Sequence, residues 1–205
     1  MKLFYSPGAC SQAPHIVLHE TGFAHEAVKV DLKAKTIESG GNYLDINPKG
    51  AVPALELDNG EVLTENAVIL QYLGDRASLG DLLPGLGDFR RYRVLEWVNF
   101  ITTEVHKGFG PLFAPNAGDD VKAFATVNVK KKLDHVEASF GGPFLMGDAL
   151  TVADAYLFVM TGWAENMFGL DQWPKLAEFR ATMMERDAVR HALKHEGLLK
   201  EEATA

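Results

Sequence analysis

The chain has 205 residues, 47% hydrophobic and 23% charged, with a formal net charge of −8 at pH 7. That length buries a real core as one large or two small domains, while the acidic balance argues against nonspecific nucleic-acid binding, which relies on positive charge to neutralise phosphates. One cysteine permits no intrachain disulfide, no apolar stretch approaches the ~20 residues that span a bilayer, and no signal-like apolar core opens the chain. A cytoplasmic enzyme or binding protein, with neither a membrane nor a nucleic acid as partner, is expected.

The first 78 residues read as mixed strand and helix. Lys2 to Tyr5 is a short apolar strand, and Ser11 to Thr21 follows with Ile16, Val17 and Glu20 at helical spacing. Pro14 is tolerated in that helix's first turn, and Gly22 is placed to stop it. Glu26 to Leu32 alternates apolar and polar residues, which predicts a second strand. Thr36 to Ile46 reads as a weak helix interrupted by Gly40-Gly41. Ala54–Leu57 and Glu61–Leu63 flank Asp58-Asn59-Gly60, a hairpin signal with Asn-Gly at the turn. Glu65 to Gly74 closes the section as a helix. The alternation predicts a parallel βαβ unit, to which the hairpin adds an antiparallel pair.

Residues 79–88 have linker character from their glycines and proline, and from 89 to 205 the chain reads as all-helical. Phe89 to Phe109 carries Tyr92, Leu95, Val98, Thr102 and Val105 along one helix face. Asp119 to Phe140 is a second long helix, whose Lys130-Lys131-Lys132 run reads as a solvated face. Thr151 to Phe168 is strongly apolar and predicts a central helix, opened by a Thr151…Asp154 capping box of structural character. Trp173 to Lys194 adds one or two more.

Cys10, the only cysteine, follows a Pro-Gly turn and stands where the first helix begins. Unpaired backbone N–H groups and the helix dipole favour an anion there, so a thiolate is stabilised and the cysteine becomes reactive near neutral pH. Position alone is equally compatible with a buried structural cysteine.

The motifs Tyr5-Ser-Pro-Gly-Ala-Cys10-Ser, Pro14-His-Ile-Val-Leu18, Ile46-Asn-Pro-Lys-Gly50, Val52-Pro53, Leu63-Thr-Glu65 and Glu104-Val-His-Lys107 span both halves of the chain. Together they make it resemble the glutathione S-transferases, most closely the bacterial beta class, which carries a cysteine where other classes use tyrosine or serine. The resemblance implies an α/β thioredoxin-like N-terminal domain joined to an all-α C-terminal domain. It also implies glutathione as co-substrate, a small hydrophobic electrophile as second substrate, and a homodimer.

Residue by residue, the resemblance implies catalytic roles for Cys10 and His106. Val52-Pro53 matches a cis-proline turn that presents backbone to the cysteinyl part of glutathione, as in strand addition. Glu65 and Asn66 match the site of the γ-glutamyl end: the helix start supplies N–H donors for a carboxylate, and Glu65 accepts from the ammonium. Asparagine stands at 66 where the family most often has serine. Lys35 matches the lysine that reaches the glycyl carboxylate. His106 and Lys107 match positions facing the thiol, and Asn99 and Glu104 match positions near the γ-glutamyl end. Tyr5 and Ser11 are the backups to Cys10. Phe109, Phe113, Trp163 and Met167 are candidate walls for the electrophile, with core packing as the plainer reading.

Two chemistries are compatible with this set. Glutathione thiolate attacks an electrophilic carbon, or Cys10 exchanges disulfides with glutathione; reductive dehalogenation through the same intermediate is a third. With one cysteine, any disulfide cycle is monothiol. The rival reading is a non-catalytic binding or regulatory protein on the same scaffold, which retained Cys10 and Glu65 argue against. His15/His19 and His191/His195 have i,i+4 spacing, but neither pair sits in H-E-x-x-H and no third ligand converges in sequence, so no metal is expected.

Overall fold

The computed structural model describes residues 1–77 and 79–199; the expected domain limits at 78 and at 200–205 lie outside them. The chain divides into two compact units, Met1–Gly80 with the stretch from Met183 onward, and Asp81–Thr182.

The first unit is built on a five-stranded sheet in the order β3-β2-β1-β4-β5. Its strands are β1 Lys2–Tyr5, β2 Glu26–Asp31, β3 Thr36–Ile37, β4 Ala54–Glu56 and β5 Val62–Thr64. β1 is central, parallel to β2 and antiparallel to β4, which is why Leu3, Phe4 and Tyr5 are all buried. Helix α1, Gln12–Thr21, makes the crossover between β1 and β2, and Gly22 ends it in the left-handed conformation at φ 65°. One face of the sheet buries Phe4, Val28, Val30, Tyr43, Val52 and Ala54 as a core. The hairpin forms with Gly60 at φ 84°, and α2, Asn66–Arg76, follows β5 directly.

The helix expected over 36–46 does not form. Thr36 and Ile37 pair with Val30 and Asp31 instead, and Gly40 and Gly41 take φ of 83° and 125°, which no α-helix admits. All that turns is a 3₁₀ segment, Tyr43–Asp45, whose Leu44 N–H donates to the Asn42 side chain.

The second unit is helical: α3 Phe89–Phe100, α4 Lys107–Phe113, α5 Asp119–Ser139, α6 Val152–Phe168 and α7 Pro174–Met184, whose last two residues fall in the first unit. The single helix predicted for 89–109 is α3 and α4 joined by a π-helical stretch, Ile101–His106. Its residues are mostly β-branched, and the hydroxyls of Thr102 and Thr103 donate to the carbonyls of Val98 and Asn99 at 2.7 and 3.1 Å. Such back-bonding loosens the α ladder. Gly108 then lets the helix approach α5 closely, since a Cβ there would meet Val129 Cγ2 at 2.9 Å. α6 is the buried centre, with every residue from Val152 to Thr161 buried. The capping box is present: Thr151 donates its N–H and its hydroxyl to Asp154 Oδ2 at 2.8 and 2.7 Å.

Helix α8, Asp187–His195, completes the first unit rather than the helical one. It buries Ala188, Val189, Ala192 and Leu193, and just before it Arg186 forks onto the Glu20 carboxylate at the end of α1.

Candidate active site around Cys10

The Ser-Pro-Gly-Ala-Cys turn is a folded lead-in to α1. Ala9 N–H donates to Ser6 O, Gln12 N–H to Ala9 O and Ala13 N–H to Cys10 O, with Gly8 at φ 70° where an L side chain is disfavoured. Cys10 is 8% exposed, and its thiol donates to the Val52 carbonyl at 3.3 Å. The Val52–Pro53 bond is cis. From the start of α2, the Asn66 amide donates to Cys10 O at 3.1 Å. Residues far apart in sequence, at 10, 52 and 66, therefore meet at one residue, Cys10, Val52 at its thiol and Asn66 at its backbone carbonyl.

Two expected ligands flank this centre. Lys35, at φ 58° after an Asp31 turn, donates its ammonium to Gly50 O at 2.7 Å, on the loop that leads to Val52. Glu65 immediately precedes α2 with φ 72° and ψ 119°, a sparsely populated backbone conformation that costs about 1–3 kcal/mol and clusters at functional sites. Its carboxylate is exposed and accepts from Lys49 at 2.6 Å. Among the described residues the buried Oδ1 of Asn66 has no hydrogen-bond partner.

The backups have other employment. The Ser11 hydroxyl accepts from Ser6 N–H and donates to Ser6 O, pinning the turn. The Tyr5 ring packs on His15 and His195 at 5.4 and 6.2 Å, and burial raises its phenol above the ordinary value, which weakens the case for it as an acid.

Two contributors escape sequence reasoning. Lys49 holds both Thr64 and Glu65; it sits in the Asn47-Pro-Lys-Gly50 motif, where only the turn is readable. Buried Glu196 accepts from Gly8 N–H at 2.9 Å, Gln12 Nε2 at 3.1 Å and His15 Nδ1 at 3.0 Å. It thereby ties down both sides of the Cys10 turn, and nothing local to residue 196 announces that.

In the second unit the π-helical stretch ends at His106, whose Nδ1 shares a 2.6 Å hydrogen bond with the Tyr156 hydroxyl and whose ring packs edge-on to Trp163. Burial, with Lys107 adding to it, lowers the His106 pKa to about 4, so the imidazole is neutral at physiological pH. Asn99, Glu104 and Lys107 are exposed, and Glu104 accepts from Lys132 at 2.6 Å. Of the candidate walls, Phe109 is wholly buried in the helical core, while Phe113 and Met167 are exposed. Phe109 and Phe113 both pack edge-on to Trp163.

The His106 shift carries a stability consequence. The unfolded chain takes up a proton near pH 6.5, whereas the folded one resists until about 4, so this contribution is whole above pH 6.5 and is lost as pH falls towards 4. His106→Asn keeps a partner for Tyr156 and removes the titration. The unfolding free energy of wild type is expected to fall relative to this variant by a few kcal/mol between pH 7 and 4.5, read from urea titrations. Parallel pH profiles would contradict it.

Five of the seven histidines gather in the first unit, around the packed faces of α1 and α8. His15 lies 5.1 Å, ring to ring, from both His19 and His195, and His25 lies 5.0 Å from His19. The third imidazole missing from the sequence pattern is thus supplied by the fold.

The Glutathione S-transferase, N-terminal domain family matches residues 8–76, and the Glutathione S-transferase, C-terminal domain family matches residues 103–196. The chain is 45% identical over 203 residues to the glutathione S-transferase GstA of Escherichia coli O157:H7, covering 97% of this chain and 100% of that one. Among solved structures, a sphingomonad glutathione S-transferase complexed with glutathione matches with TM-score 0.92 at 47% identity, over 97% of this chain and 100% of that one. A bacterial beta class enzyme from Sphingomonas chungbukensis matches with TM-score 0.93 at 44% identity over the same shares. Kinship sustained from the Cys10 turn to the last helix, on the same two-unit fold, places this chain in the glutathione S-transferase family, within its bacterial beta class.

Proposed function

We propose that this glutathione transferase holds glutathione along the backbone of Val52, with the cysteinyl sulfur beside Cys10, and conjugates it to small hydrophobic electrophiles. The observation that carries the reading is the convergence of Cys10, the cis Val52–Pro53 turn and the start of α2. In this reading the cysteinyl N–H donates to the Val52 carbonyl and competes with the Cys10 thiol for it. The γ-glutamyl carboxylate takes the first N–H groups of α2, its ammonium donates to Glu65, and Lys35 pairs with the glycyl carboxylate. The family resemblance gives His106, neutral and held by Tyr156, and Lys107 roles towards the thiols, and Asn99 and Glu104 roles towards the γ-glutamyl end. The exposed aromatic surface of Phe113 and the half-buried Trp163 suit an apolar second substrate. The enzyme acts as a cytoplasmic homodimer, as its family implies; among the described residues no helix is long and apolar enough to cross a membrane.

A second chemistry rests on the lone thiol. Cys10 thiolate attacks the glutathione sulfur of a mixed disulfide and expels the other thiolate. A second glutathione thiolate then attacks that sulfur, releasing glutathione disulfide and restoring Cys10.

Glu65→Gln tests the placement of the tripeptide. A charge-assisted hydrogen bond contributes about 1.5–3 kcal/mol, so the Kd for glutathione is expected to rise by roughly 10- to 100-fold in calorimetry, with kcat at saturating glutathione changed far less. An unaltered Kd would put the ammonium elsewhere.

A further inference from the structure

The histidine cluster supplies none of the groups assigned to glutathione, and it meets the Cys10 turn only through shared neighbours, Glu196 and Tyr5. α1 and α8 each carry a His-x₃-His pair, His15/His19 and His191/His195, so both helices present imidazoles from successive turns of one face. The helices pack so that one nitrogen each of His15, His19 and His195 lies within 4.8 Å of the other two. Ligating nitrogens about 2.0–2.1 Å from a zinc ion stand roughly 3.4 Å apart at the tetrahedral angle. The remaining closure is within reach of the exposed His195 side chain.

Two independent features point to a ligand. First, the Nε2 atoms of His15 and His19 are buried and, among the described residues, have no hydrogen-bond partner. A buried polar atom left unsatisfied is unfavourable, and core packing alone gives no reason for two side by side. Second, the tautomer is arranged for ligation. His15 is fully buried, and its Nδ1 lies 3.0 Å from Glu196 Oε1. A carboxylate accepts, so Nδ1 carries the proton, and in the neutral ring Nε2 presents a lone pair. That is the carboxylate–histidine arrangement found behind metal-ligating imidazoles. His25 repeats it with a backbone carbonyl, donating from Nδ1 to Phe23 O at 2.8 Å, and its ring stands against His19.

We propose that His15, His19 and His195 form a binding site for a divalent transition-metal ion that joins α1 to α8. An all-imidazole set suits zinc, nickel or copper rather than magnesium or calcium. Three protein ligands with His195 at the surface leave a fourth position for water. The ion would fasten the last helix to the helix that begins beside Cys10, at a site separate from that of glutathione.

The test is calorimetric titration of zinc chloride into the untagged full-length chain, with cobalt absorption spectra reporting coordination geometry. One equivalent is expected to bind in wild type and equally in Cys10→Ala and in His135→Ala, a histidine outside the cluster. Affinity is expected to fall more than tenfold in His195→Ala and in His19→Gln. Because zinc binds the folded chain, a hundredfold excess over Kd should raise the melting temperature by about 5–10 °C in wild type and not in His195→Ala. His195 is exposed, so its replacement leaves the fold intact as a reference. Absence of zinc binding in wild type, binding that survives both cluster substitutions, or binding lost with Cys10→Ala would each overturn the proposal.

Discussion

Cys10→Ala is expected to reduce glutathione-dependent disulfide exchange to the uncatalysed background, while glutathione still binds close to wild-type affinity. The thiol is the sole sulfur nucleophile of the chain, so no neighbouring cysteine substitutes for it. The contacts assigned to the tripeptide, by contrast, come from the Val52 backbone, Glu65 and the start of α2, which the substitution leaves in place. Its own hydrogen bond, from Sγ to the Val52 carbonyl, frees an acceptor when removed, and a carbonyl at the ligand's edge is readily taken by ligand or water. Reduction of a small mixed disulfide of glutathione, followed by coupled assay beside calorimetry, separates the two properties. Retained redox turnover would transfer the chemistry away from Cys10; a parallel collapse of binding would make the thiol a packing group.

Glu196→Ala is expected to cost about 3–5 kcal/mol, a large share of the 5–15 kcal/mol that stabilises a typical domain. The carboxylate is buried and satisfies Gly8 N–H, the Gln12 amide and His15 Nδ1 together. Removing it takes their partner from two buried donors, the Gln12 amide and His15 Nδ1, each costing about 1–3 kcal/mol before the structure relaxes, and takes one acceptor from the part-buried Gly8 N–H. Two of the three flank Cys10 by two residues, so the reactivity of the thiol towards glutathione disulfide should fall with stability. Urea unfolding measures the first effect and the rate of adduct formation the second. A loss below about 1 kcal/mol, of the order seen for surface changes, would show that the α1–α8 face holds the turn without Glu196.

The sequence made the sheet and the site legible to different degrees. β1, α1 and the hairpin are carried by local signals: an apolar run, Gly22 as a stop, and Asn59-Gly60 as a turn. They appear in the structure within a residue or two. Thr36 to Ile46 carries only a weak helical spacing, and Gly40-Gly41 marks a change of backbone region there rather than an interruption of a helix. The π-helical stretch was invisible because its pattern remains helical to a 3.6-residue reading; the Thr102-Thr103 pair and the β-branched run are the only local clues. Around Cys10, Val52, Pro53, Lys35, Glu65 and Asn66 are singled out by the family resemblance, since their residues alone read equally as a turn proline, a solvated lysine and a helix cap. Glu196 and the third histidine were not readable, because both depend on α8 packing against α1 across some 180 residues of chain. Long-range pairing of that kind leaves no mark on local periodicity, and it also explains why the last helix belongs with the sheet rather than with its neighbours in sequence.

The most direct test of the central claim is intact mass under nonreducing conditions after exposure of the native full-length chain to glutathione disulfide. One glutathione per chain is expected, located at Cys10, formed at a rate that saturates with glutathione disulfide, slowed by Glu65→Gln and reversed by excess reduced glutathione. Formation at a rate that never saturates and is indifferent to Glu65, or no adduct together with no glutathione binding, would contradict a glutathione site built around Cys10.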